Sequence, residues 1–165
     1  MERLFLLRDI MVKEEGDCCE LLALSEQEKN AIVENDVPTV SSIIEKQQAI
    51  LADLKKLGAE KQNILSALRG EMSLPEGRLR VQDVVEGAPL PLRAELEALL
   101  GGIEELGQKL HRISALNRTL IETQLQYTMF CMNTLTGQDG MPSTYSGSGR
   151  VQEGTAQRCL VDQAI

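Results

Sequence analysis

The sequence predicts an all-α fold: an elongated antiparallel helical hairpin or bundle of three main helices with a flexible C-terminal tail. Two long segments carry apolar residues in alternating steps of four and three, the spacing that one side of an α-helix requires. Aromatic residues make up only 2% of the 165 residues and Trp is absent, so the core has to be aliphatic. The helical pattern ends at Gly137, after which Gly, Ser and Thr are dense.

The first predicted helix covers about residues 3–34. Gly16 interrupts its apolar stripe, and an interior Gly costs about 1 kcal/mol relative to Ala. A bend at Gly16 and a new start near Asp17 are both compatible with the pattern. Residues 35–38 stop the chain and restart it, because Asp36 is a good N-cap and Pro38 fits the first turn of a helix.

The second predicted helix covers about residues 37–70. A second line of apolar residues, including Leu51 and Leu65, runs beside its main stripe. The apolar face is therefore wide enough to contact more than one helix. The main stripe consists of Val40, Ile43, Gln47, Ile50, Leu54, Leu57, Lys61, Ile64 and Leu68.

An irregular linker is predicted at residues 71–90, where Pro and Gly recur too often for a tight turn or a long helix. Within it, Leu79, Val81, Val84 and Val85 are compatible with a short helix or an extended patch, and we favour the helix.

The third predicted helix covers about residues 91–135. Gly101 and Gly102 permit either a close approach of another helix or a kink. Asn117 stands where the stripe calls for an aliphatic residue. Two readings are open: a buried amide that fixes helix register by pairing with a facing group such as Gln47 or Lys61, or a solvated position. The stripe consists of Leu92, Leu96, Leu99, Ile103, Leu106, Leu110, Ile113, Asn117, Leu120, Gln124, Tyr127 and Cys131.

The predicted organisation is thus a helical domain at residues 1–136 and a Gly/Ser-rich tail at 137–165. The tail contains one aromatic residue, Tyr145. An aromatic ring in such a segment either anchors a partner or has no role.

The formal net charge of -8, without a basic cluster, argues against nucleic acid as a partner. Charges interrupt the apolar N-terminal patch before it reaches the length of a signal peptide or a membrane span, so we expect a cytoplasmic protein without membrane insertion. Four cysteines without C-x-x-C spacing indicate reduced thiols.

No catalytic, cofactor-binding or metal-binding constellation is predicted. His111 is the only histidine, and its neighbours favour a solvated or edge-packed side chain over phosphotransfer. The adjacent Cys18 and Cys19 point about 100° apart on a helix, which disfavours a disulfide between them. One histidine and scattered thiols also lack the spacing of a zinc site.

Several segments together resemble the FlgN-type flagellar export chaperones. Residues 28–32 with Asp36, 45–47 and 50–51 with Leu57 and Leu65, resemble the helical hairpin of this family. Residues 116–121 resemble the Asn-containing segment of its last long helix, and residues 145–149 its Tyr-x-x-x-Gly tail. The resemblance covers about residues 21–149. It does not extend to residues 150–165.

The resemblance implies a cytoplasmic, ATP-independent chaperone that binds the terminal helices of hook-associated (hook-filament junction) proteins. Such a chaperone keeps its clients unassembled and delivers them to the membrane export gate. By this analogy Tyr145 contacts the export gate, and a homodimer in the absence of client is left open. The client-binding residues would be Leu125, Met129, Met132 and Leu135.

A different class of function is a structural or regulatory coiled-coil protein without an export role. It would pair with itself or with a signalling partner. Only the chaperone is expected to form a defined complex with the terminal peptide of a client.

Overall fold

A computed structural model describes residues 2–71 and 80–136. These residues contain four helices and no strand, which confirms the all-α prediction. The predicted flexible tail and Tyr145 lie outside the described residues. The helices are α1 (Glu2–Val33), α2 (Val37–Glu71), α3 (Val81–Glu86) and α4 (Leu90–Thr136).

The chain divides into two compact units, Met1–Arg118 and Thr119–Ile165. The first contains α1, α2, α3 and residues 90–118 of α4. The described part of the second is one helical segment, residues 119–136.

The connection between α1 and α2 is short because each of its residues closes a helix end. Asn35 adopts a left-handed conformation (φ 57°), and the amides of Asn35 and Asp36 donate to the carbonyls of Ile32 (3.0 Å) and Ala31 (2.9 Å). This is the Schellman arrangement, which satisfies the last carbonyls of α1. Asp36 then caps α2 as predicted, accepting from the Thr39 amide (3.2 Å) and hydroxyl (2.5 Å).

The main core lies where the N-terminal half of α1, the C-terminal end of α2, the short α3 and the start of α4 meet. Leu7, Leu96 and Val84 are fully buried there. The wide apolar face of α2 has the predicted effect, since Leu65 and Leu68 pack among residues of the other three helices. Leu7 belongs to this core, whereas Phe5 and Leu6 are exposed. The other members are Leu4, Met11, Val85, Ala88 and Leu92.

A second apolar cluster closes the opposite end of the α1–α2 hairpin, with Leu24 and Ala31 of α1 and Ile43 of α2 at its centre. Between the two clusters, Lys61 of α2 pairs with Glu14 of α1 at 2.5 Å. The helix α1 does not restart after Gly16, since it runs without a break from Glu2 to Val33. The antiparallel pairing of α1 and α2 follows from the connection of only three residues.

Within the first unit, α4 runs in the same direction as α1. Arg8 of α1 forms an ion pair with Glu95 of α4 at 3.7 Å. About two turns further along both helices, Glu15 lies against Gly102. A Cβ atom at position 102 would meet the Glu15 carboxylate, which is the end of a flexible side chain and can move aside. The helix α4 continues through Gly102 without a break.

Candidate protein-binding surface

The end of α4, residues 119–136, combines a helical backbone with an unusually uncharged sequence. Glu122 is its only charged residue; Leu, Ile, Met, Thr and Gln make up most of the rest. A helix that exposes apolar side chains in water is a characteristic feature of a partner-binding site. This segment is therefore the main candidate for an interaction surface in the described part of the chain.

The four residues predicted to bind a client lie along one side of this segment, and all of them are exposed. Leu125 is 59% exposed and Leu135 is 81% exposed. Their spacing of four, three and three residues keeps them within about 120° of each other around the helix axis. We call this set the aliphatic stripe: Leu125, Met129, Met132 and Leu135. Ile121, also exposed, extends it toward the start of the segment.

A second exposed set lies on another side of the same helix and was not predicted as a site. We call it the aromatic face: Tyr127, Phe130 and Cys131. Tyr127, which belongs to the periodic stripe of α4, is 68% exposed, and Phe130 is 61% exposed. Cys131 is half-buried. A hydrogen bond with the Cys131 side chain, four residues later on the helix, raises the pKa of the Tyr127 hydroxyl.

The threonines of the segment add little polarity to its surface. The hydroxyls of Thr123 and Thr128 donate to the carbonyls of Thr119 (2.8 Å) and Gln124 (2.9 Å), four residues earlier on the same helix. Thr134 does the same to Phe130. Because these hydroxyls are already hydrogen-bonded, a partner can cover them without leaving a donor unpaired.

Asn117 precedes this segment by two residues and is buried in the first unit. It is only 3% exposed, which excludes the interpretation that its side chain is solvated. Its Nδ2 donates to the main-chain carbonyl of Ser25 at 2.9 Å and to the Glu28 carboxylate at 3.0 Å, both on α1. The predicted partners, Gln47 and Lys61, are therefore wrong as direct partners. Lys61 lies elsewhere along α2, where it pairs with Glu14.

Gln47 takes part in the same hydrogen-bond network, although no hydrogen bond joins it to Asn117. Its Nε2 donates to the Glu28 carboxylate at 3.0 Å, so one carboxylate oxygen holds amides from both α2 and α4. Ser25 is also buried and donates to the Leu21 carbonyl at 2.9 Å. We call Ser25, Glu28, Gln47 and Asn117 the polar layer. It links all three long helices at a single level.

The remaining candidates from the sequence have little connection with either surface. His111 is exposed on α4. Cys18 is buried, and this burial raises the pKa of its thiol, whereas the adjacent Cys19 is exposed. Among residues 2–71 and 80–136, no three His, Cys, Asp or Glu side chains are grouped to hold a metal ion. No helix in the described part of the chain is long and apolar enough to cross a membrane.

A helical bundle with an exposed helical segment that is rich in apolar residues and has a single charge is typical of proteins that bind other proteins. The comparison with known families narrows this class. The model of one family, described as FlgN protein, matches residues 1–153. The chain therefore belongs to the FlgN family, whose general role is that of flagellar export chaperones. No match to the chain was found among curated proteins or among solved structures.

Proposed function

We propose that this protein is a cytoplasmic chaperone for hook-associated proteins. It binds their terminal helices through the aliphatic stripe on α4, prevents premature assembly and delivers them to the export gate. The observation that carries the proposal is the exposure of all four stripe residues on a helix of a FlgN-family chain. An amphipathic client helix fits such a surface through contacts at successive helical turns.

The two methionines of the stripe support a role in binding more than one client. Met129 and Met132 are both exposed, and their unbranched thioether side chains adapt to surfaces of different shape. Leu125 and Leu135 flank them with more rigid side chains. This combination suits a chaperone that accepts related but different terminal helices.

Tyr145 is proposed as the contact with the export gate. The residue lies outside the described part of the chain, so the proposal rests on its resemblance to the tail tyrosine of the family. Tyr145→Ala should leave the affinity for the client unchanged and lower its export. A homodimer in the absence of client belongs to the same proposal.

A deletion strain and a pulldown test the proposed function together. Full-length tagged protein should retain the hook-filament junction proteins from an extract, and loss of the gene should impair filament assembly and motility. As a control, a Gln126→Ala variant, which changes an exposed polar side chain beside the stripe, should retain the same proteins. Intact motility after deletion, together with no hook-associated client in the pulldown, would contradict the proposal.

A further inference from the structure

Within the first unit, the middle of the α4 helix is less buried than the parts before and after it. Leu92 and Leu96 are buried in the main core, and Asn117 is buried in the polar layer. None of residues 97–116, which lie between them, is buried. Little apolar area therefore holds this stretch in place. The stripe residues nearest the polar layer are half-buried: Leu106, Leu110 and Ile113.

Gly101 and Gly107 lie at the start of this stretch, and packing does not explain their presence. A Cβ atom at either position would stand in open space, with no neighbour within 4 Å. Both residues lie inside a continuous helix, where Gly is the poorest helix former apart from Pro. The physical effect that remains is a helix that is easier to bend or unwind between Leu96 and Leu110.

The polar layer holds the far end of the stretch through hydrogen bonds. Asn117 donates to the Ser25 carbonyl at 2.9 Å and to the Glu28 carboxylate at 3.0 Å. If the helices separate, water replaces these partners, so the net contribution of the bonds is small. The Oδ1 atom of Asn117 is buried without a partner among the described residues, and separation would hydrate it. The layer therefore fixes the closed position but opposes its opening only weakly.

The α1–α2 hairpin has its own apolar contacts at this end and does not need α4 to stay closed. The second apolar cluster has Leu24 and Ala31 of α1 and Ile43 of α2 at its centre. Its half-buried members, Val40 and Ile50, also belong to α2. In the described part of the chain this cluster contains no residue of α4. The hairpin can therefore remain folded when α4 moves away from it.

We propose that residues 108–118 of α4 open from the α1–α2 hairpin and close again as one unit, with residues 101–107 as the hinge and the polar layer as the latch. The part of α4 before the hinge stays in place, because Leu99 and Leu100 pack on the main core. Opening exposes the apolar side of Leu110 and Ile113, which the closed state covers in part. The latch thus controls access to that side. The inference concerns the free protein and does not depend on the proposed function.

Amide hydrogen exchange of the full-length protein at increasing urea concentrations tests the inference. Packing supplies most of the stability of a helix in a protein, so the amides of a detached stretch exchange. The proposed opening exposes little surface. Exchange at residues 108–116 should therefore depend on urea much less than exchange of the amides around Leu7 and Leu65, which requires global unfolding. An equal, steep dependence at residues 108–116 would overturn the inference.

Alanine substitutions of glycine test the hinge. Gly101→Ala with Gly107→Ala strengthens the helix at the hinge and should slow exchange at residues 108–116 at least about fivefold. The matched control is Gly16→Ala, which also fills open space inside a helix, but on α1. It should change exchange at residues 108–116 by less than about twofold, because α1 keeps its conformation during the opening. Equal effects of the two changes would overturn the inference.

Asn117→Ala tests the latch. It removes both hydrogen bonds to α1, and without urea it should speed exchange at residues 108–116 at least about fivefold. The control is Gln108→Ala, which changes an exposed side chain of the same stretch and should not speed this exchange. An Asn117→Ala variant whose residues 108–116 exchange like those of the control would overturn the inference.

Discussion

Asn117 on α4 donates a 2.9 Å hydrogen bond to the main-chain carbonyl of Ser25 on α1, 92 residues earlier in the sequence. The same amide also donates to the Glu28 carboxylate at 3.0 Å, and no other carboxylate lies one turn away on that side of α1 to replace it. A slip by one turn would therefore break the bond to Glu28. The two bonds thereby support a register role for Asn117, two residues before the segment 119–136 begins.

Replacing Asn117 by Leu should make the protein more stable and its helix alignment less specific. The Oδ1 atom of Asn117 is buried without a hydrogen-bond partner among the described residues. We expect Asn117→Leu to raise the free energy of unfolding by about 1 kcal/mol, because it removes that atom. It should also broaden the distribution of oligomers, as measured by light scattering. A variant that is no more stable and keeps its oligomeric state would contradict the register role.

Asn117→Asp keeps the shape of the side chain and places a second carboxyl beside Glu28. Burial and the Glu28 charge should both raise the pKa of the introduced group above its value in the unfolded chain. The cost in free energy of unfolding, about 2–4 kcal/mol near neutral pH, should then shrink as the pH falls to about 3, where the group is largely protonated in both the folded and the unfolded state. Urea unfolding at the two pH values measures it. An equal cost at both pH values would show that neither burial nor the Glu28 charge raises the pKa of the introduced group.

The ion pair between Lys61 and Glu14 should contribute more than the exposed pairs on the same helix. Its side chains are only 22% and 19% exposed, so removing one partner leaves a charge poorly solvated. We expect Lys61→Met to lower the free energy of unfolding by about 1–3 kcal/mol. The matched control is Lys56→Met, whose pair with Asp53 is largely solvated. Its Tm should remain unchanged. Equal effects of the two substitutions would refute this ranking.

Asp36 should make the stability of the α1–α2 connection depend on pH. The Thr39 hydroxyl, and then the Thr39 amide, lower the pKa of its carboxyl. A lowered pKa in the folded state stabilises the protein above the pKa of the unfolded chain, and this contribution is lost as the pH falls through the folded value. Asp36→Asn retains an N-cap without a titrating group. The Tm advantage of the natural protein over this variant should therefore be present at neutral pH and vanish in acid.

Thr39→Val provides the control for that measurement. It removes the hydroxyl donor that has the largest effect on the Asp36 carboxyl. In this background, Asp36→Asn should change the pH dependence of Tm much less. A pH dependence that is unaltered by Thr39→Val would assign the effect to another group.

The periodic pattern of the sequence predicted the all-α fold because each long helix repeats its apolar positions many times. It was less informative about the polar layer. Asn117 was recognised as an exception within its stripe, but Ser25 and Glu28 lie on α1, whose stripe is interrupted and shows no comparable exception. Hydrogen-bond partners 89 and 92 residues apart depend on the three-dimensional alignment of helices, which the pattern of one helix does not specify.

The aromatic face shows a different limit of the same reasoning. The spacing placed Tyr127 in the periodic stripe of α4, and the residue is exposed, whereas Leu92 and Leu96 of the same stripe are buried. A periodic pattern identifies which side of a helix is apolar, but what covers that side depends on the rest of the fold. The exposed Met129 and Met132 were expected only through the family resemblance.

Hydrogen exchange of the full-length protein, with and without a purified hook-filament junction protein, tests the central claim most directly. The account predicts that client slows amide exchange in residues 121–135, which contain the aliphatic stripe, and leaves the buried amides around Leu7 and Leu65 unchanged. Slowed exchange confined to α1 or α2, with no change in residues 121–135, would contradict the account.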